Sequence, residues 1–158
     1  MQYISTFLFV ITTFNIMAQK EIKTSIIIEA PAQDVWEVLT DFNSYELWNP
    51  FLTEMKGTFK EGDRVKINAS GMKFRPIILK NIPPEELRWK GKFLFNGLFD
   101  GEHSFKIIDN YDGTITFLHE EKFTGVLVGI FSKKLDKETK SGFEKMNAAL
   151  KKLVESKE

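Results

Sequence analysis

Two histidines and one glutamate are the side chains of this sequence best spaced to do chemistry together. His103 and His119 are its only histidines. Each falls in a segment that alternates. In Glu102–Ile107 the positions His103, Phe105 and Ile107 share one parity, and in Ile115–Phe123 so do Ile115, Phe117, His119, Glu121 and Phe123. Successive side chains of a strand point to opposite faces, so both imidazoles and the Glu121 carboxyl are expected to point inward with the phenylalanines. The turn Asp109-Asn110-Tyr111-Asp112-Gly113 joins the two segments. Centred near Tyr111, the hairpin would set His103 across from His119 and Phe105 across from Phe117.

Three kinds of chemistry fit such a cluster. It can be a satisfied polar patch, each imidazole paired with Glu121, a backbone group or a buried water. It can orient a ligand in an otherwise apolar pocket. It can act as an acid–base pair near neutral pH, or contribute two nitrogens and a carboxylate to a divalent ion. No nucleophile dyad or further metal ligand accompanies it, so His103, His119 and Glu121 stand as catalytic candidates only, and no metal is assigned. The sequence has no phosphate-binding glycine loop, Gly-x-Ser-x-Gly elbow or His-Glu-x-x-His motif, and no cofactor is expected.

The elements that must position the cluster begin at Gln19. Lys23–Glu29 reads as a strand with Ile26-Ile27-Ile28 at its centre. Ala30-Pro31 breaks it, and Pro31 suits a helix start. Val35, Trp36, Val38 and Leu39 then form a helical apolar stripe. A second short helix, Tyr45–Trp48, ends at Asn49-Pro50, because a residue before proline disfavours helix. Six strand-like segments follow: Leu52–Phe59, Arg64–Ser70, Lys73–Ile82, Glu86–Phe95, Asp100–Asp109 and Thr114–Thr124. Gly-, Pro- and Asn-containing turns separate them. Pro76 inside the third implies a bulge or an edge. In Glu86–Phe95 the inward set is Leu87, Trp89, Phe93 and Phe95, with Gly91 leaving room. Leu135–Glu155 reads as a long amphipathic helix with the stripe Leu135, Gly142, Phe143, Met146, Ala149, Leu150 and Leu153. An α+β fold follows: a curved antiparallel seven-stranded sheet whose apolar face the long C-terminal helix must cover.

Composition narrows the function. The 158 residues suit one domain over 19–158. Lys plus Arg equals Asp plus Glu at 22 each, so no basic field exists to collect nucleic acid. The absence of cysteine excludes disulfides and thiolate metal sites. Fifteen phenylalanines against three tyrosines make a bulky apolar interior, which can fill a core or line a cavity. Residues 1–18 carry no charge and are mostly apolar from Ile4 to Met17, too short a run for a comfortable membrane span. They read as a signal peptide ending at Ala18, which implies export; with Met17 as the start the protein is instead cytoplasmic. Two apolar segments, Thr124–Phe131 and the tip Phe95–Phe99, either tuck onto the protein or serve as a lid and a transient membrane contact.

Ile26-Ile27-Ile28-Glu29-Ala30-Pro31 followed by Val35-Trp36-Glu37-Val38-Leu39-Thr40-Asp41-Phe42 resembles the opening of the START-like (SRPBCC) superfamily. So do Tyr45-Glu46-Leu47-Trp48-Asn49-Pro50 and His119-Glu120-Glu121-Lys122-Phe123-Thr124-Gly125. The nearest branch is that of polyketide cyclases/dehydrases and lipid transport, and the resemblance covers about residues 22–155. It implies a helix-grip fold with a deep hydrophobic cavity between sheet and helix. Ligand-binding positions would be Trp48, Trp89, Phe93, His103, Phe105, Phe117, His119, Glu121, Phe143 and Met146. The favoured expectation is a binder of a lipid or polyketide-like apolar molecule. The alternatives are a cyclase or dehydratase with cavity histidines as acid and base, and a module that associates with a protein or membrane.

Overall fold

The computed structural model describes residues 18–69 and 71–156. The expected leader therefore lies, apart from Ala18, outside the described residues. β1 (Gln19–Ile28) leads into α1 (Ala32–Thr40) and α2 (Tyr45–Trp48). Strands β2 (Leu52–Lys56), β3 (Lys66–Ala69), β4 (Met72–Phe74), β5 (Ile77–Ile82), β6 (Glu86–Lys92), β7 (Asp100–Asp109) and β8 (Ile115–Thr124) follow. The chain ends in α3 (Val128–Lys134), a π-helical segment (Leu135–Thr139) and α4 (Lys140–Glu155).

The α+β class holds, but the single seven-stranded sheet does not. There is a five-stranded antiparallel sheet in the order β1-β8-β7-β6-β5 and a three-stranded one in the order β2-β3-β4. The cause is Pro76, which falls inside the segment read as one strand, Lys73–Ile82. Proline has no N–H for the ladder, so that run divides into β4 and β5. The sheets stay stitched at the break. Val65 N–H donates to the Pro76 carbonyl at 3.1 Å, and Ile78 N–H to that of Asp63 at 2.9 Å.

The opening helices form for the reasons their residues suggest. Pro31 sits at the N-cap of α1 with its carbonyl accepting from Asp34 and Val35, and the stripe Val35, Trp36, Val38 and Leu39 is buried. Tyr45 of α2 is fully buried, and its hydroxyl donates to the Leu39 carbonyl at 2.6 Å. Asn49 closes the turn before Pro50 by accepting from the Phe51 and Leu52 N–H groups, each at 2.9 Å.

The C-terminal helix starts earlier than its sequence period suggests. Thr124–Phe131 is not one loop: β8 runs to Thr124, and the helix is under way by Val128. α4 buries Phe143, Met146, Asn147, Leu150 and Val154, and packs chiefly on β1 and α1. Each large apolar side chain so buried stabilises the fold by roughly 1.5–3 kcal/mol. Gly142 is part of that fit. The Phe51 ring lies so close that a β-carbon on Gly142 would stand 2.2 Å from its Cδ2.

Candidate functional site: an aromatic cavity backed by a polar chain

The hairpin that carries the histidines is shifted by two residues from the expected register. Its loop centres on Asp112, with Asn110 N–H donating to the Thr114 carbonyl at 3.1 Å. His103 therefore faces Glu121 across the ladder, Phe105 faces His119, and Ile107 faces Phe117. A two-residue shift preserves parity, so every inward assignment survives it. The imidazoles still meet, diagonally: His103 Nε2 and His119 Nε2 are 2.9 Å apart.

They belong to one hydrogen-bonded chain. Glu121 Oε2 lies 3.3 Å from His103 Nδ1, and His119 Nδ1 lies 2.9 Å from Asn147 Oδ1. Asn147 Nδ2 donates to Thr24 Oγ1 at 2.9 Å. The chain thus ties β8, β7, α4 and β1 together through the core. Directing the Asn147 amide at Thr24 makes its oxygen the acceptor from His119 Nδ1–H. The His119 Nε2 lone pair then accepts from His103 Nε2–H.

The surroundings are dry and aromatic. His103 is 3% and His119 0% exposed. His103 stacks parallel to Trp89 with centroids 4.7 Å apart, and His119 stacks on Phe143 at 3.6 Å. Burial pushes the His119 pKa well below its ordinary value, and the adjacent His103 pushes it the same way, while the Asn147 hydrogen bond opposes both. His119 is therefore held neutral. It is an acceptor behind His103, out of reach of anything in the cavity, and acid–base work there would have to pass through Glu121 and His103. The two Nε2 atoms point at each other as donor and acceptor, which leaves no shared vacant point for a metal. Among the described residues no three metal-ligating side chains converge.

In front of this chain lies a partly open cavity of about 150 Å³. Of the ten positions expected to bind ligand, Trp89, Phe93, His103 and Glu121 line it. The other six predicted positions do not. Phe105, Phe117, His119, Phe143 and Met146 are completely buried and fill the space behind the wall. Trp48 packs edge-on against Tyr45 at 5.0 Å, within α2. Phe93 lies at the rim, half exposed.

Much of the wall comes from residues outside the sequence prediction. Leu52, Ile67, Ala69, Met72 and Phe74 bring in the three-stranded sheet, and Phe51 and Pro76 flank it. Phe99, Gly101 and Phe123 extend the five-stranded one, and Leu135, Glu138 and Thr139 come from the π-helical segment. Besides Glu121, the charged groups on the wall are Lys92 and Glu138. Asn147 is the member of the polar chain that was missed. It stands four residues after Phe143 and three before Leu150, in phase with the buried stripe, and that spacing was the available signal.

Comparison with known proteins bears on the fold. Curated proteins provide no match. Solved structures do. A hypothetical protein from Helicobacter pylori is 14% identical with a TM-score of 0.68, over 98% of this chain and 99% of that one. A START superfamily protein from Mycobacterium smegmatis is 16% identical with a TM-score of 0.67, over 87% and 99%. Norcoclaurine synthase from Thalictrum flavum, in complex with dopamine and hydroxybenzaldehyde, is 12% identical with a TM-score of 0.68, over 97% and 99%. At such identities the likeness is one of fold. The family model for polyketide cyclase / dehydrase and lipid transport matches residues 19–155, nearly all of the described chain, and the protein belongs to that family.

Proposed function

We propose that this protein binds a small apolar molecule in the cavity between the two sheets and the π-helical segment, as a carrier or receptor domain rather than an enzyme. The observation that carries the reading is the composition of the wall. Phe51, Trp89, Phe93, Phe99 and Phe123 surround the Glu121–His103 pair, and Lys92, Glu138 and Thr139 are the other polar side chains of the wall. A mostly apolar concavity with a few convergent polar groups is the usual form of a small-molecule site. The volume narrows the ligand. About 150 Å³ suits one ring or a short acyl segment, well below the roughly 300–1,000 Å³ of drug-sized pockets. A whole lipid would need the rim to open.

The rim supports a further part of this reading, transient contact with a membrane. Leu94, Phe95, Ile130 and Phe131 are exposed; Leu94 and Phe95 follow the wall residue Phe93 in the chain, and Phe131 packs edge-on against the wall residue Phe99 at 6.0 Å. Exposed apolar clusters of this kind mark interaction surfaces.

Native mass spectrometry, with solvent extraction of what co-purifies, tests the binding reading. A discrete added mass of one-ring size supports it. An apo mass, with no uptake of toluene or of a fluorescent fatty-acid probe, removes it. The cyclase or dehydratase alternative rests on the Glu121–His103 contact at the cavity wall, and unchanged turnover in His103→Ala would exclude it.

A further inference from the structure

The Glu121 carboxylate divides its two oxygens between the protein and the cavity. Oε2 faces His103. Oε1 lies over Gly101, where a β-carbon would stand only 2.6 Å from it, and among the described residues no side chain donates to it. Both Gly101 and Glu121 line the cavity. The missing side chain at position 101 is thus what lets an unpartnered acceptor lie against the cavity floor.

We propose that Glu121 anchors the ligand by accepting one hydroxyl donor at Oε1, so that the ligand is an apolar molecule of about one ring bearing a single hydroxyl. This rests on the cavity-binding reading above. The other charged groups lining the cavity are Lys92 on β6 and Glu138 on the π-helical segment.

The test titrates the full chain with toluene and p-cresol, matched rings that differ by the hydroxyl. A hydrogen bond to a partly buried carboxylate predicts p-cresol to bind about tenfold more tightly. Gly101→Ala, which displaces Oε1, and Glu121→Gln should each bring the ratio toward one. Equal affinities for the two rings, with both bound, overturn the anchor and leave the cavity reading standing. Failure of both rings to bind overturns both readings.

Discussion

Replacing His119 by glutamine should remove a pH dependence of stability that the native fold builds in. His119 is fully buried and is held neutral by that burial, reinforced by His103 and opposed by Asn147. In the unfolded chain the same imidazole titrates near pH 6.5. Below that value the unfolded state binds a proton that the native state refuses. Stability then rises with pH and is lost as the pH falls from about 6.5 toward the depressed native value. The slope is at most about 1.4 kcal/mol per pH unit, so lowering the pH from about 6.5 to 5 costs up to about 2 kcal/mol. For a chain of this size that is a fall in Tm of roughly 4–8 °C. Four carboxylates, Glu86, Asp112, Glu120 and Glu155, have depressed native pKa values. Their sign is fixed too: they stabilise above the ordinary carboxylate range and lose that contribution as the pH falls below it, outside this window. Urea unfolding followed by fluorescence of the three tryptophans measures the free energy at each pH. His119→Gln should be less stable at pH 8, through its altered packing, yet show a flatter profile between pH 6.5 and 5. Parallel profiles for native and variant proteins would refute the argument that burial holds this imidazole neutral.

Gly142→Ala drives a β-carbon into the Phe51 ring and should cost about 1–3 kcal/mol. The displaced ring is itself part of the cavity wall, so toluene uptake should fall along with Tm. Phe105→Ala empties a fully buried site among Trp89, His103 and Phe117 and should cost about 3–5 kcal/mol in urea unfolding, the range for buried phenylalanines. Leu94→Asp and Ile130→Asp alter exposed positions, so stability should stay within about 0.5 kcal/mol while sedimentation with lipid vesicles declines. Unchanged sedimentation would remove the membrane-contact reading.

What could be read from the sequence was parity, and what could not was distance. Alternation in Asp100–Asp109 and Ile115–Thr124 placed His103, Phe105, Phe117, His119 and Glu121 on one face, and that assignment survived a two-residue error in register. The error came from centring the turn on Tyr111. Asn110–Thr114 forms a wider loop in which Tyr111, with φ of 58°, and Gly113, with φ of 89°, take left-handed conformations. The three-stranded sheet was harder to foresee. Met72–Phe74 is too short for an alternation to show, and its place on the cavity depends on how Pro76 breaks the chain. Leu135, Glu138 and Thr139 share a helical face, but the two polar members hid it. Asn147 was passed over because a buried amide looks like an interruption of an apolar stripe until its partners are known.

The position of the cavity follows from what fills the space behind it. A bent sheet gripping a helix leaves one volume between them, and this chain divides it. Phe105, Phe117, Phe143 and Met146 occupy the inner part completely, so a ligand cannot pass beyond His103. Only the outer part stays open, where small or short-strand residues such as Ala69, Pro76, Gly91 and Gly101 form the wall. The polar chain runs from that boundary into the filled part. Apolar residues of the same volume could match its contribution to stability, since buried polar groups gain little net free energy even when paired. Its bonds gain something apolar contacts do not, which is direction. They join β1, β7, β8 and α4 through donors and acceptors that must all be satisfied at once. A shift of α4 that an apolar core would absorb by repacking would here break His119 from Asn147. The arrangement therefore fixes the helix against the sheet, and with it the end of the cavity at which Glu121 is presented.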